Sequence, residues 1–264
     1  MAKLTGNIGF TGRLGNMSAY KMRGSDGIIL RGKGGASKSR IKNHPNFELT
    51  RHNNAEFGGS SVAGKSIRIA INAVTHLADH NISGNLNAIA RIILGLDAIN
   101  KRGERAIRFS QYHHLLDGFS LNRQSLFNSV LRQQVSYTFF RDTGSANIIL
   151  PELLPGINFY TPSRYSSYRF IISLGVIHDL VYNKTGYQPE GPKNYTAKTF
   201  DTEWASTREA RAEQSMDIQL YDFTVLRNNQ SLVLSIGIEY GQPLSNNVVT
   251  PIKQSGCAVI LATG

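Results

Sequence analysis

The sequence has one cysteine, one tryptophan and fewer acidic than basic residues, and each shortage narrows what the chain can be. A lone Cys257 excludes an internal disulfide and a cysteine zinc site, which fits a reducing compartment. No apolar run approaches the roughly 20 residues that a bilayer-crossing helix needs. The opening MAKLTGNIGFTGRLG has no apolar stretch of the signal-peptide kind. The expectation is cytoplasmic synthesis without Sec export, and no membrane span. A G-x-S-x-G elbow is absent, and Cys257 sits in an apolar stretch, so nucleophilic catalysis has no candidate. His76 and His80 are four apart, as helix-borne zinc ligands are, but no Glu follows His76 and no third ligand is evident. Capping or surface roles are expected for them, with no metal and no cofactor. Asp201 and Glu203 alternate and read as a solvated strand edge rather than an acid–base pair. Trp204, Tyr160, Tyr165 and Tyr168 could offer a sugar- or base-stacking surface, with core or turn packing the commoner role for such residues. The reading is of a protein that is not an enzyme.

What is abundant is positive charge, and it is localised. The net charge is +11. Residues 1–70 hold twelve Lys/Arg against three Asp/Glu, a net +9, whereas residues 134–264 hold ten against eleven, a net −1. A basic segment joined to a neutral body points to an acidic partner: nucleic acid, anionic lipid or an acidic protein surface. Apolar residues make up 41%, enough for a real core.

Residues 1–44 form a glycine-rich basic arm, with glycine at Gly6, Gly9, Gly12 and Gly15 and again from Gly24 to Gly35. Glycine at this density disfavours a packed helix. Gly24-Ser-Asp-Gly27 is a turn signal between Met17–Met22 and the strand-like Ile28-Ile29-Leu30, which predicts a β-hairpin over residues 17–31. Lys33 to Lys42 reads as a solvated basic loop.

Residues 45–133 read as a helical region entered through His44-Pro45. Short helices are expected at 47–57, at 66–77 (Ile67, Ile71, Val74, Leu77 on one face), at 87–99, and near 111–116 and 123–133. From 134 to 264 the apolar period becomes two. Seven strands are predicted, at 135–140, 147–150, 168–177, 195–200, 217–226, 231–240 and 257–262. The fold class that follows is α+β: an extended arm with a hairpin, a helical middle and a C-terminal antiparallel β-sandwich of immunoglobulin-like architecture.

One motif must be weighed. Gly59-Ser-Ser-Val-Ala-Gly64-Lys65-Ser66 matches the phosphate-loop pattern G-x-x-x-x-G-K-[ST], in which backbone N–H groups cradle phosphates, Lys neutralises them and Ser binds Mg²⁺. The preceding FELTRHNNAEFG is polar and helical in pattern, where the motif needs a buried strand. Asp97, the best second magnesium ligand, also lacks a strand setting. The expected alternative is that Gly58-Gly59 ends one helix, Ser60-Ser61 caps the next and Lys65 faces solvent.

The arm residues Gly9-Phe-Thr-Gly12-Arg-Leu-Gly15-Asn-Met-Ser-Ala-Tyr20, followed by Gly27-Ile-Ile-Leu-Arg31 and a basic loop, resemble the start of an uncharacterised family of Bacteroidota proteins. Its members open with a G-x-x-G-x-x-G…Y…G-x-x-x-x-R arm and end in β-rich domains. The resemblance covers about 60 residues and implies no catalytic residues. Where the family has Pro-x-Thr before a Gln/Arg-rich helix, this chain has His44-Pro45-Asn46.

Three functions are then open. In the leading one the chain is a self-assembling structural subunit of a filament, tube or phage-like particle. Its arm (Gly6, Gly9, Gly12, Gly15, Tyr20, Ile28, Ile29, Leu30) clasps a neighbouring copy by strand addition. In the second, Arg13, Lys21, Arg23, Arg31, Lys33, Lys38, Arg40 and Lys42 bind nucleic acid. In the third, Gly59, Gly64, Lys65 and Ser66 bind a nucleotide.

Overall fold

The computed structural model describes residues 2–4, 9–22, 27–32, 34–191, 197–220, 225–245 and 248–264, with the side chains of 2–4 left aside. Two compact units are present, Met1–Arg51 and His52–Gly264. The helical and β stretches, expected as separate regions, fall together in the second unit.

In the first unit, β1 (Ala2–Leu4), β2 (Gly12–Leu14), β3 (Met17–Lys21) and β4 (Ile28–Gly32) form an antiparallel sheet in the order β1-β4-β3-β2. The hairpin expected over 17–31 is β3–β4, with Tyr20 opposite Ile29. β2 and β3 are joined by the two residues Gly15-Asn16. Gly15 has φ +54°, a conformation that suits a glycine opening a tight hairpin turn. Lys38–Asn43 is a short helix, α1, not a loop. The Ser37 hydroxyl caps it by accepting from the Arg40 N–H at 3.2 Å.

In the second unit the glycines of 58–64 do not break the chain. Helix α2 runs unbroken over Glu48–Ala70, and a 3-10 turn spans Asn72–Leu77. α3 is Ser83–Gly95, and the short α4 and α5 are Phe109–Tyr112 and Phe127–Val130. The strands are β5 (Ser136–Phe140), β6 (Ser145–Leu150), β7 (Ser167–His178), β8 (Leu180–Asn183), β9 (Gly186–Pro189), β10 (Ala197–Asp201), β11 (Ala205–Ser206), β12 (Gln214–Gln219), β13 (Gln230–Ser245) and β14 (Val248–Thr263). Each of the seven expected stretches contributes a strand. All pairings between these strands, among the described residues, are antiparallel, and the class is α+β. β10-β7-β13-β14 form a central sheet, with β11 also on β7; β12-β6-β5 form a smaller one.

The central sheet is buried on both faces, which is why β7 and β13 read as nearly continuous apolar runs. One face, with Phe170, Ile172, Leu174, Leu232, Leu234 and Ile236, shares a core with Ala146, Ile148, Leu150 and Ile218 of the small sheet. The other face packs on Ile67, Ile71, Val74, Leu77, Leu86 and Ile93 of the helical segments. Small residues on that face let the chain end of α2 come close. A Cβ on Gly175 would lie 2.4 Å from the Ala70 carbonyl oxygen, and one on Gly237 would lie 2.5 Å from Leu77. The outer edge of β14 is covered along residues 258–260. There Gly118 and Leu121 N–H groups donate to Ile260 and Ala258, and the Ile260 N–H donates to Phe119. The Asn122 side chain closes the series by accepting from the Ala258 N–H at 2.8 Å.

Candidate functional site

The alternation of β-strands decides what each face of the arm sheet presents. Leu14 stands opposite Met17, and Gly12 opposite Ala19, which stands opposite Leu30. On this face Leu14 is 60% and Met17 43% exposed. The other face carries Arg13, Ser18 and Arg31 in one cross-strand row, with Tyr20 and Ile29 in the next. β2 ends the sheet with one side of its backbone unpaired among the described residues. Gly9 lies close to the sheet, since a Cβ there would meet Ile28 at 3.2 Å. Among the described residues of 1–51, Ala19 and Ile29 are the only buried apolar side chains. Lys38, Arg40 and Lys42 are exposed on α1. Of the expected arm residues, Gly6, Arg23 and Lys33 lie outside the described residues.

The phosphate-loop expectation is corrected by the position of its residues. Gly59, Gly64, Lys65 and Ser66 all lie inside α2. Their backbone N–H groups are committed to the helix, and no concave loop exists to receive a phosphate. Lys65 is exposed whereas Ser66 is buried, so the two cannot converge on one ligand. The glycines serve packing: a Cβ on Gly59 would meet the Tyr187 ring at 2.7 Å, and one on Gly64 would meet Asn87 Oδ1 at 2.0 Å. Ser60 and Ser61 do not cap a new helix; their hydroxyls donate to the Glu56 and Phe57 carbonyls, each at 3.0 Å. Asp97 instead organises the loop after α3. Its carboxylate accepts from the N–H groups of Ile99, Asn100 and Ala106 and from the Asn100 side chain. Burial alone would raise its pKa, but these hydrogen bonds outweigh burial and bring it down to about 2.

A charged cluster that the sequence did not reveal sits at the helix-covered face of the central sheet. Glu239, 4% exposed on β13, accepts from His76 Nε2 at 2.8 Å and from Arg169 Nε at 2.7 Å. Arg169 also reaches Asp201 at 3.1 Å and lies 4.9 Å from the centre of the Trp204 ring. Asp201 is thus paired within the cluster, while Glu203 is exposed beyond the end of β10. Next to it in the ladder, Gly256 pairs with Glu239, and Gln254 has φ +56°, a left-handed conformation unusual for a non-glycine residue. His76 is held by Glu239 and by a hydrogen bond to the Ala73 backbone. The Glu239 hydrogen bond is the main reason its pKa is raised, against an opposing effect of burial. Both hydrogen bonds favour the protonated ring, so the imidazole braces Glu239 more firmly as pH falls.

His80 binds Asp79 at 2.7 Å, so His76 and His80 serve separate carboxylates, and no group of three or more candidate metal ligands exists among the described residues. The Cys257 thiol is buried and its pKa is pushed up to about 12 by that burial. The aromatic residues considered for stacking are occupied. Tyr168 is fully buried, Tyr165 stacks on Tyr240 at 4.5 Å, and Arg132 covers Tyr160 at 3.8 Å. Nothing in the local pattern foreshadowed the Glu239 cluster, because Arg169 and Glu239 are 70 residues apart and meet only through the pairing of β7 with β13. No helix among the described residues is long and apolar enough to cross a membrane. Comparison with family models, with curated proteins and with solved structures finds no match to this chain.

Proposed function

We propose that the protein is a non-enzymatic, self-assembling structural subunit whose N-terminal sheet makes the contacts between copies. The observation that carries this reading is the poverty of the arm's own core. A four-stranded sheet with two buried apolar side chains among its described residues is too lightly packed to be stable unaided. Its exposed Leu14 and Met17, side by side on one face, offer a surface that a second copy would cover. The unpaired side of β2 adds backbone donors and acceptors for strand addition. The body, a two-sheet β part of the immunoglobulin-like kind with helices on one face, would then be wall or outer decoration of a filament, tube or phage-like particle. Membership of the glycine-arm Bacteroidota family belongs to the same proposal and rests on the arm residues alone.

Light scattering coupled to size exclusion tests it. The full chain is expected to run as an oligomer or polymer. The Leu14→Asp/Met17→Asp variant, and the chain lacking residues 1–44, are expected to run as monomers. A full chain that stays monomeric at tens of micromolar, or an oligomer indifferent to both changes, overturns the proposal.

A further inference from the structure

We infer that the face of the arm sheet opposite Leu14 and Met17 is a binding platform for single-stranded nucleic acid. Three observations meet there. The register Arg13–Ser18–Arg31 sets two guanidinium groups on one face, two strand spacings apart, with a small hydroxyl side chain between them. Adjacent strands lie about 4.8 Å apart, so the two Cα atoms are separated by roughly 10 Å. Arg13, Ser18 and Arg31, with Gly15, Met17, Gly32 and Gly34, border a groove of about 320 Å³ at this end of the sheet. That is the size of a small ligand cleft, and its glycines leave the backbone open to close approach.

Charge is the second observation. Residues 1–47 hold nine Lys/Arg and one acidic residue, Asp26, a net +8. Neither Arg13 nor Arg31 has an ion-pair partner among the described residues, so both guanidinium groups remain available for bidentate contact with phosphate oxygens.

The third observation selects among polyanions. Tyr20, 37% exposed, lies on the same face as Ser18 and Arg31, one row along. A phenol ring beside two phosphate-binding arginines gives an unpaired base something to stack on, as single-strand-binding surfaces do. A duplex keeps its bases stacked inside and gains nothing from that ring. An acidic peptide or inorganic polyphosphate would use the arginines but not the tyrosine.

The experiment uses the full chain and a fluorescein-labelled 20-nucleotide oligothymidylate, with anisotropy read at 50 and 200 mM NaCl. Inorganic polyphosphate serves as an unlabelled competitor. Wild type is expected to bind at 50 mM salt and to weaken steeply at 200 mM. Arg13→Gln/Arg31→Gln should bind at least 10-fold more weakly. Its log K against log salt slope should be shallower by about 1.4, the counterion release of two single-strand phosphates. Arg13→Lys/Arg31→Lys should keep the wild-type slope, which separates lost charge from lost folding. Tyr20→Leu should weaken oligothymidylate several-fold and leave competition by polyphosphate unchanged. The inference is overturned by absent binding at 50 mM salt, by a Gln double variant that binds like wild type, or by a Lys double variant that behaves like the Gln one. It is equally overturned if Tyr20→Leu affects neither probe or both alike.

Discussion

The two units order antiparallel strands by opposite means. In residues 52–264 the central sheet is sealed on both faces, and its polar groups are tied into networks such as Glu239 with His76 and Arg169. In residues 1–51 a sheet of similar strand number buries only Ala19 and Ile29 among its described residues. Burial of apolar area is the main source of stability, so the described part of the arm draws far less of it from its own side chains than the body does.

The contrast can be broken most forcefully in the body. Gly175→Val drives a branched side chain into the Ala70 backbone and is expected to cost about 3 kcal/mol or prevent folding, read by urea denaturation. Glu239→Gln leaves the Arg169 guanidinium short of one carboxylate in a buried setting, for an expected loss of about 2–3 kcal/mol. The same cluster predicts a pH effect. The folded pKa of His76 is raised from 6.5, so its stabilisation is complete below pH 6.5 and is lost as pH rises through the raised value. Wild type should therefore lose more stability than His76→Gln between pH 6 and pH 8.5. Asp97→Asn should cost about 1–2 kcal/mol by weakening three backbone hydrogen bonds. Its carboxylate is depressed from 3.8 to about 2, so that contribution is present above pH 3.8 and lost as pH falls toward 2. At the small end, Leu14→Ser with Met17→Ser should move the melting of the body by less than about 0.5 kcal/mol while removing oligomers. Equal melting losses from Gly175→Val and from the Leu14/Met17 pair would erase the distinction between the units.

Local pattern carried much of the body. The period-two stretches at 135–140, 168–177 and 231–240 lie where β5, β7 and β13 form, because apolar β-branched residues dominate them. It failed where tertiary contact overrules propensity. Gly58 and Gly59 read as a helix end, yet α2 runs through them because the Tyr187 ring needs the space above Gly59. The helical pattern over 66–77 breaks at Ala70, and the chain tightens to a 3-10 turn against the sheet. β13 and β14 extend well past the predicted 231–240 and 257–262 as a paired ribbon, Gly241 opposite Pro251 and Ser245 opposite Val248, whose glycines, prolines and mixed residues interrupt the period-two pattern. β8 and β9, a short hairpin over 180–189, left no strong period. In the arm, the β3–β4 hairpin was legible from its turn residues. β2 was not, because a strand of Gly12-Arg13-Leu14 has little strand propensity and exists through its partner. The Glu239 cluster was invisible, because sequence separation of 163 residues between His76 and Glu239 hides their contact.

The strip Gly118–Asn122 laid along β14 has a consequence for growth. A large sheet with a bare margin can recruit copies of itself without limit, one strand after another. Here that margin is occupied over 258–260 by the molecule's own chain, and the opposite margin, β10, carries Lys198 and Asp201. Enlargement at the margins of the central sheet is thus opposed by the chain itself over 258–260 and by charged side chains on β10.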